Sequence, residues 1–249
     1  MAGVRIETAD RVMVVTLDRA SKKNAITDEM YGEIAGALVQ AATNDAVRVV
    51  VLAGDGPDFC AGNDISMLAD PSADIAASNV GRFLAALSTF PKPLVAIVTG
   101  RAIGVGATLL LHCDLVFMAT DAQLILPFVN LGLTPEAGSA WLLPRRIGHV
   151  RAFALLALGE RLSGSAAASL GLANAALPAS EVGPAAMAAA RTIAEKSPSA
   201  LSATKRLMRD AAAIEAALAA DREALLTQLA SPEAAAAFAA FAARRNAPA

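Results

Sequence analysis

Apolar and polar positions change period several times along the 249 residues. Residues 4–7 and 12–17 are short runs rich in β-branched side chains and predict two opening strands. Over 28–42 the period lengthens. Met30, Ile34, Leu38 and Ala41 recur at helical spacing behind Thr27, whose hydroxyl suits an N-cap. The unbroken apolar run 47–53 has strand length and fits a strand buried on both faces. After the turn-rich Gly54-Asp55-Gly56-Pro57, residues 78–89 predict a helix that stops ahead of Pro91 and Pro93. Residues 94–98 predict a strand that runs directly into a glycine-rich loop, 100–106, and then a helix to about His112. Runs 115–119 and 124–126 continue the strand rhythm. Strands alternating with helices predict an α/β fold.

Beyond Pro135 the pattern becomes helical, over 140–147, 150–158, 165–170, 182–195, 199–229 with one break, and 232–244. A short strand is predicted at 173–177. From Pro198 onward the chain is alanine-rich and amphipathic, and such helices need a partner face to be stable. The expected organisation is a core over 1–197 and a helical carboxyl-terminal region over 198–249.

Composition removes several classes of function. With 55% hydrophobic residues, 18% charged residues and a net charge of −2, the chain is unlike a disordered segment. Lys22-Lys23, Arg145-Arg146 and Arg244-Arg245 are scattered pairs rather than a basic stripe, so no nucleic-acid partner is expected. The mean hydropathy of +0.50 owes much to alanine. The most apolar stretch, 94–111, is interrupted by Thr99, Gly100, Arg101, Gly104, Gly106 and Thr108, so no membrane span is expected. The start lacks a basic segment followed by an apolar one, which predicts a cytoplasmic protein. Cys60 and Cys113 are expected to be reduced, buried thiols. His112 and His149 lack ligand-like spacing, so they are read as structural and no metal is expected.

Three loops have the physical character of a site. In Phe59-Cys60-Ala61-Gly62-Asn63-Asp64-Ile65, small residues let a ligand approach backbone N–H groups. The loop 100–106 leads into a helix, whose first N–H groups and positive dipole end suit a developing oxyanion. It lacks the third glycine of a dinucleotide fingerprint, since Leu109 stands there. In Leu131-Gly132-Leu133-Thr134-Pro135-Glu136-Ala137-Gly138-Ser139, Glu136 precedes a helix. Its carboxylate could favour that helix start, or it could be a base whose pKa burial raises toward working pH.

These loops, with Lys92 through Gly106, Cys113-Asp114, Leu17-Asp18-Arg19 before Asn24-Ala25, and Phe238, Phe241 and Arg244 near the end, resemble the crotonase, or enoyl-CoA hydratase/isomerase, superfamily over nearly the whole chain. The resemblance implies a spiral of ββα units followed by a helical carboxyl-terminal region that serves trimerisation and completes the CoA site. It also implies acyl-CoA thioester substrates, no metal or separate cofactor, and a homotrimer or dimer of trimers.

Carried over residue by residue, the resemblance places oxyanion donors at the N–H groups of Asn63 and Val105, the latter where hydratases usually have glycine. Ser21, Lys22, Lys23, Ala61, Gly62, Asp64, Ile65, Ser66 and Gly104 fall on the substrate-facing surface, the two lysines as partners for CoA phosphates. Phe241 and Arg244 fall where some relatives reach CoA from a neighbouring subunit. The two glutamates of hydratases are replaced by Thr108 and Phe128. Glu136 instead matches the isomerase pattern Leu-Gly-x-x-Pro-Glu-Gly, similar to the peroxisomal Δ3,Δ2-enoyl-CoA isomerase branch. The implied activity moves a 3-enoyl-CoA double bond to the trans-2 position through Glu136, with Phe128 and Leu131 helping to exclude water. The rivals are an enoyl-CoA hydratase or other acyl-CoA enzyme of the superfamily, and a noncatalytic acyl-CoA-binding subunit.

Overall fold

The computed structural model describes residues 3–64 and 78–246. Its larger sheet has six strands in the order β1-β2-β3-β4-β6-β9: β1 (Val4–Ala9), β2 (Val12–Leu17), β3 (Val49–Gly54), β4 (Leu94–Val98), β6 (Leu115–Ala119) and β9 (Ala175–Leu177). β1 and β2 pair antiparallel and every later pair is parallel. A smaller sheet joins β5 (Arg101–Ile103), β7 (Gln123–Ile125) and β8 (Arg161–Ser163).

The period of two along β3 explains its place. Val50 and Leu52 face the main core, while Val49 and Val51 face a second cluster with Ala186, Ala190 and Ala194. Those alanines recur every fourth residue along α7 (Ala179–Ala194), a small-residue ridge that lets the helix lie close against the sheet. On the other face, α1 (Asp28–Thr43) and α2 (Asn79–Thr89) pack together, with the rings of Tyr31 and Phe83 in tilted contact at 5.1 Å. Thr27 caps α1 by accepting the Met30 N–H at 3.4 Å, as its sequence predicts. The ammonium of Lys92 donates to the carbonyls of Ala41, Asn44 and Val47 at 2.7, 2.8 and 2.9 Å, closing the carboxyl end of the same helix.

A strand of the large sheet followed by a short strand of the small one, then a helix, is the repeating unit. It runs β4, β5, α3 (Val105–Thr108) and again β6, β7, α4 (Ser139–Ile147). These are ββα turns of the kind the resemblance implies, and a helical carboxyl-terminal region follows them. Two sequence-based expectations need correction here. The glycine-rich segment 100–106 is not a plain loop, because β5 lies within it, and β8 had no counterpart among the expected strands. The break expected within 199–229 falls between α8 (Pro198–Leu207) and α9 (Ala211–Leu229), and α10 spans Pro232–Asn246. Lys205 on α8 pairs with Asp114 at 2.7 Å and donates to the Lys92 carbonyl at 2.7 Å, tying this region to the sheet.

Candidate active site

Short bridges bring three distant segments side by side. Ile26 pairs with Asn63, and Cys60 pairs with Ala102. The Ala61 N–H donates to the Lys23 carbonyl at 2.9 Å, which draws the exposed Ser21, Lys22 and Lys23 beside Ala61, Gly62 and Asp64. Buried Asn24 braces this junction through the carbonyls of Asp55 and Asp58 at 2.8 and 2.7 Å. Arg19 pairs with Asp64 at 2.5 Å, and Arg101 grips Asp58 with two bonds of 2.7 Å. The expected substrate-facing positions from Ser21 to Asp64 are therefore contiguous. Ile65 and Ser66 lie outside the described residues, as do the side chains of Phe241 and Arg244 on α10.

Each candidate oxyanion donor follows a glycine in the left-handed region: Gly62 at φ 92 precedes Asn63, and Gly104 at φ 54 precedes Val105. A Cβ on Gly62 would stand 3.1 Å from the Ile103 carbonyl, whereas one on Gly104 would meet open space. Glycine 104 thus takes the positive φ, and valine at 105 is accommodated as the first residue of α3. Around these positions the N–H groups of Asp64 and Gly104 donate to Ile26 and Ile125 at 2.8 and 2.9 Å. Those of Asn63 and Val105 have no backbone acceptor among the described residues. The loops approach closely at Gly106, where a Cβ would lie 2.7 Å from the Cys60 Cβ. Cys60 and Cys113 are free and buried, and burial pushes both thiols up to about 12, so they are uncharged near neutrality.

Glu136 faces this junction rather than the helix behind it. The N-cap of α4 is Gly138, and no side chain caps that helix. Instead the Thr108 hydroxyl donates to Glu136 Oε1 at 2.5 Å. Burial raises Glu136 to about 7, the Thr108 bond opposes the rise, and the charge of Asp221 adds to it. Among the described residues Glu136 has no ion-pair partner.

The turn that carries it is held from several sides. Ala137 and Gly138 are both left-handed, at φ 57 and 72, a conformation that costs a residue with a Cβ about 1–2 kcal/mol. His112 Nε2 lies 2.8 Å from the Ala137 carbonyl, to which a neutral ring can donate. Burial lowers His112 to about 4 and keeps that ring neutral. The Gly138 N–H donates to Asp221 Oδ2 on α9 at 2.8 Å.

His112, read from sequence as structural, therefore holds the turn that carries Glu136. Asp221 and Tyr31 were missed. Tyr31 is buried on α1 and its hydroxyl donates to Asn63 Oδ1, orienting that carboxamide. A signal existed for both: Tyr31 is the chain's one tyrosine, and Asp221 interrupts an alanine-rich helix. Phe128 is buried just before a 3-10 turn, Val129–Leu131, in which Leu131 is half-buried.

Among the described residues no helix is long and apolar enough to cross a membrane, and no group of three or more His, Cys, Asp or Glu could hold a metal ion.

The family described as Enoyl-CoA hydratase/isomerase matches residues 7–248. The 1,2-epoxyphenylacetyl-CoA isomerase of Escherichia coli (strain K12) is 39% identical over 65% of this chain and 64% of its own length. Enoyl-CoA delta isomerase 2 of Rattus norvegicus is 34% identical over 83% of this chain. The chain spans little more than half of that relative, 54%. The 2,3-dehydroadipyl-CoA hydratase of Escherichia coli (strain K12) is 33% identical, over 94% of this chain and 92% of its own. Among solved structures, Pseudomonas aeruginosa OdaA superposes with a TM-score of 0.91 at 47% identity, covering 97% of this chain and 99% of that one.

Proposed function

The chain belongs to the enoyl-CoA hydratase/isomerase family, and we propose that within it this protein moves the double bond of a 3-enoyl-CoA to the trans-2 position. The observation that carries this reading is the surroundings of Glu136: it is raised to about 7 and accepts the hydroxyl of Thr108, a position where the resemblance implies that hydratases carry a glutamate. A carboxyl balanced near neutrality can take a proton and return it with little cost in either direction.

In this scheme the thioester carbonyl lies between the N–H groups of Asn63 and Val105. Glu136 removes a C2 proton, and the electrons of the C2–H bond form the dienolate as charge moves to the carbonyl oxygen. The two N–H donors stabilise that charge, each contributing about 3–4 kcal/mol to the transition state. Glu136 then returns the proton at C4, the C3–C4 π bond is lost, and conjugation at C2–C3 is gained. Water takes no part, and the apolar Phe128 and Leu131 are suited to excluding it. Lys22 and Lys23, both exposed, are the proposed partners of the CoA phosphates.

The proposed working unit is a homotrimer or dimer of trimers. The exposed apolar Val150, Phe153, Leu207 and Met208 are surfaces that subunit contact would cover. A solution mass equal to one 25.3 kDa chain would overturn that assignment.

The second reading is hydration of a 2-enoyl-CoA, favoured by the likeness to the 2,3-dehydroadipyl-CoA hydratase over nearly the full length. Purified protein given a 3-enoyl-CoA should develop the absorbance of a conjugated thioester, and given a 2-enoyl-CoA should add little water. Rapid hydration in the second incubation without conjugation in the first would reverse the assignment, and binding without turnover in both would leave only an acyl-CoA-binding role.

A further inference from the structure

The helical carboxyl-terminal region reaches the candidate base directly. Ile214 is buried, and Leu218 packs against the main core. Positions 214, 217, 218 and 221 share one face of α9. A Cβ built on Gly138 would lie 3.9 Å from both the Ala217 Cβ and the Leu218 Cδ2, so this face abuts the turn after Glu136. Asp221 is the next residue along it and accepts the Gly138 N–H at 2.8 Å.

The two carboxylates sit without a cation between them. Neither Glu136 nor Asp221 has an ion pair among the described residues. The groups that face Glu136 are Thr108 from α3, Tyr31 from α1, Cys60 from the segment before Asn63, and Asp221 from α9. His112 acts one residue away, on the Ala137 carbonyl. Tyr31 and Cys60 are neutral at working pH, so Asp221 is the one negative charge that acts on Glu136 from this set.

We infer that Asp221 is a positioning residue for the Glu136 proton carrier: its carboxylate fixes the Gly138 N–H, and with it the left-handed turn, while its negative charge makes Glu136 a stronger base. This rests on the isomerase reading for the identity of the reaction, though not for the contact itself. Burial raises Asp221 as well, to about 6, and Glu136 to about 7, so both titrate near neutrality and any charge on Asp221 opposes loss of the Glu136 proton.

The substitution D221N separates the two effects, because an amide oxygen still accepts from Gly138 while the charge is lost. D221A removes both. The Glu136 carboxyl can be followed by carbon NMR of glutamate-labelled protein, its signal identified by its absence in E136Q. The pH profile of kcat/KM on a 3-enoyl-CoA is measured in parallel. In D221N the Glu136 midpoint and the acid limb of kcat/KM should move together to lower pH, with a lower plateau from the weaker base. D221A should show the same downward movement and a further loss of kcat, up to about 10²-fold, from the displaced turn. A residue that only braces the helix would leave the D221N midpoint and limb at the wild-type position, and that result would overturn the inference. If the wild type turns over no 3-enoyl-CoA but the Glu136 midpoint still falls in D221N, the reaction assignment fails while the coupling stands.

Discussion

Replacing Glu136 with glutamine should destroy activity and stabilise the protein in the same stroke. Glutamine keeps the size of the side chain and can still accept the Thr108 hydroxyl, but it cannot carry the C2 proton. Turnover of a 3-enoyl-CoA should fall by about 10²–10⁴-fold. The stability change follows from the carboxyl being raised from 4.5 to about 7 in the folded state. Below 4.5 it is protonated whether the chain is folded or not, and its ionisation costs nothing. Between 4.5 and 7 the unfolded chain releases the proton while the folded one retains it, so stability is lost as pH rises, and above 7 the loss is complete. At about 1.4 kcal/mol per pH unit, the accumulated cost is about 3 kcal/mol. Urea unfolding of wild type and E136Q at one protein concentration should therefore coincide near pH 4 and separate by about 3 kcal/mol at pH 8, with the variant the more stable. Equal or lower stability of E136Q at pH 8 would mean that the carboxyl is not desolvated, and unchanged turnover would remove it as the proton carrier.

T108V takes away the hydroxyl that favours the ionised form, so Glu136 should rise further and the acid limb of kcat/KM should move to higher pH, opposite in sign to D221N. G104A places a Cβ in open space but on a backbone at φ 54 and ψ −121, which side-chain-bearing residues avoid. It should cost about 1–3 kcal/mol in urea unfolding and, by moving the Val105 N–H, about 10²–10³-fold in kcat. K92M leaves three carbonyls at the end of α1 without their ammonium and should lower stability by about 2 kcal/mol, with kcat per folded molecule unchanged.

Signals confined to neighbouring residues were legible in the sequence. Thr27 ahead of Met30 and Ile34, and the apolar run that became β3, needed only local spacing to be read. β5 and β8 were not legible because neither has an apolar run of its own: β5 opens on Arg101 in a glycine-rich stretch, and β8 has only Leu162 between Arg161 and Ser163. Each owes its form to partners elsewhere in the chain. β5 is held by Cys60 on one side and β7 on the other. The candidate site divides in the same way. Asn63, Val105 and Glu136 lie in motifs that can be read in order, whereas His112 and Asp221 act only after distant elements have packed. Nothing in the residues around Asp221 distinguishes a solvated charge from one accepting a bond from Gly138, 83 positions earlier.

The two halves of the chemistry are encoded in different materials. The proposed seat for the thioester is made of peptide groups, placed by Gly62, Gly104 and two isolated bridges. Any residue that tolerates the local backbone leaves those donors intact, as valine at 105 does. The proposed proton carrier is a side chain on a separate turn, and a single codon can create, remove or relocate it. Substitutions at 108, 128 and 136 can thus explore new reactions while the means of holding an acyl thioester is inherited unchanged. A lineage built in this way can change its catalysis without first unlearning how to bind.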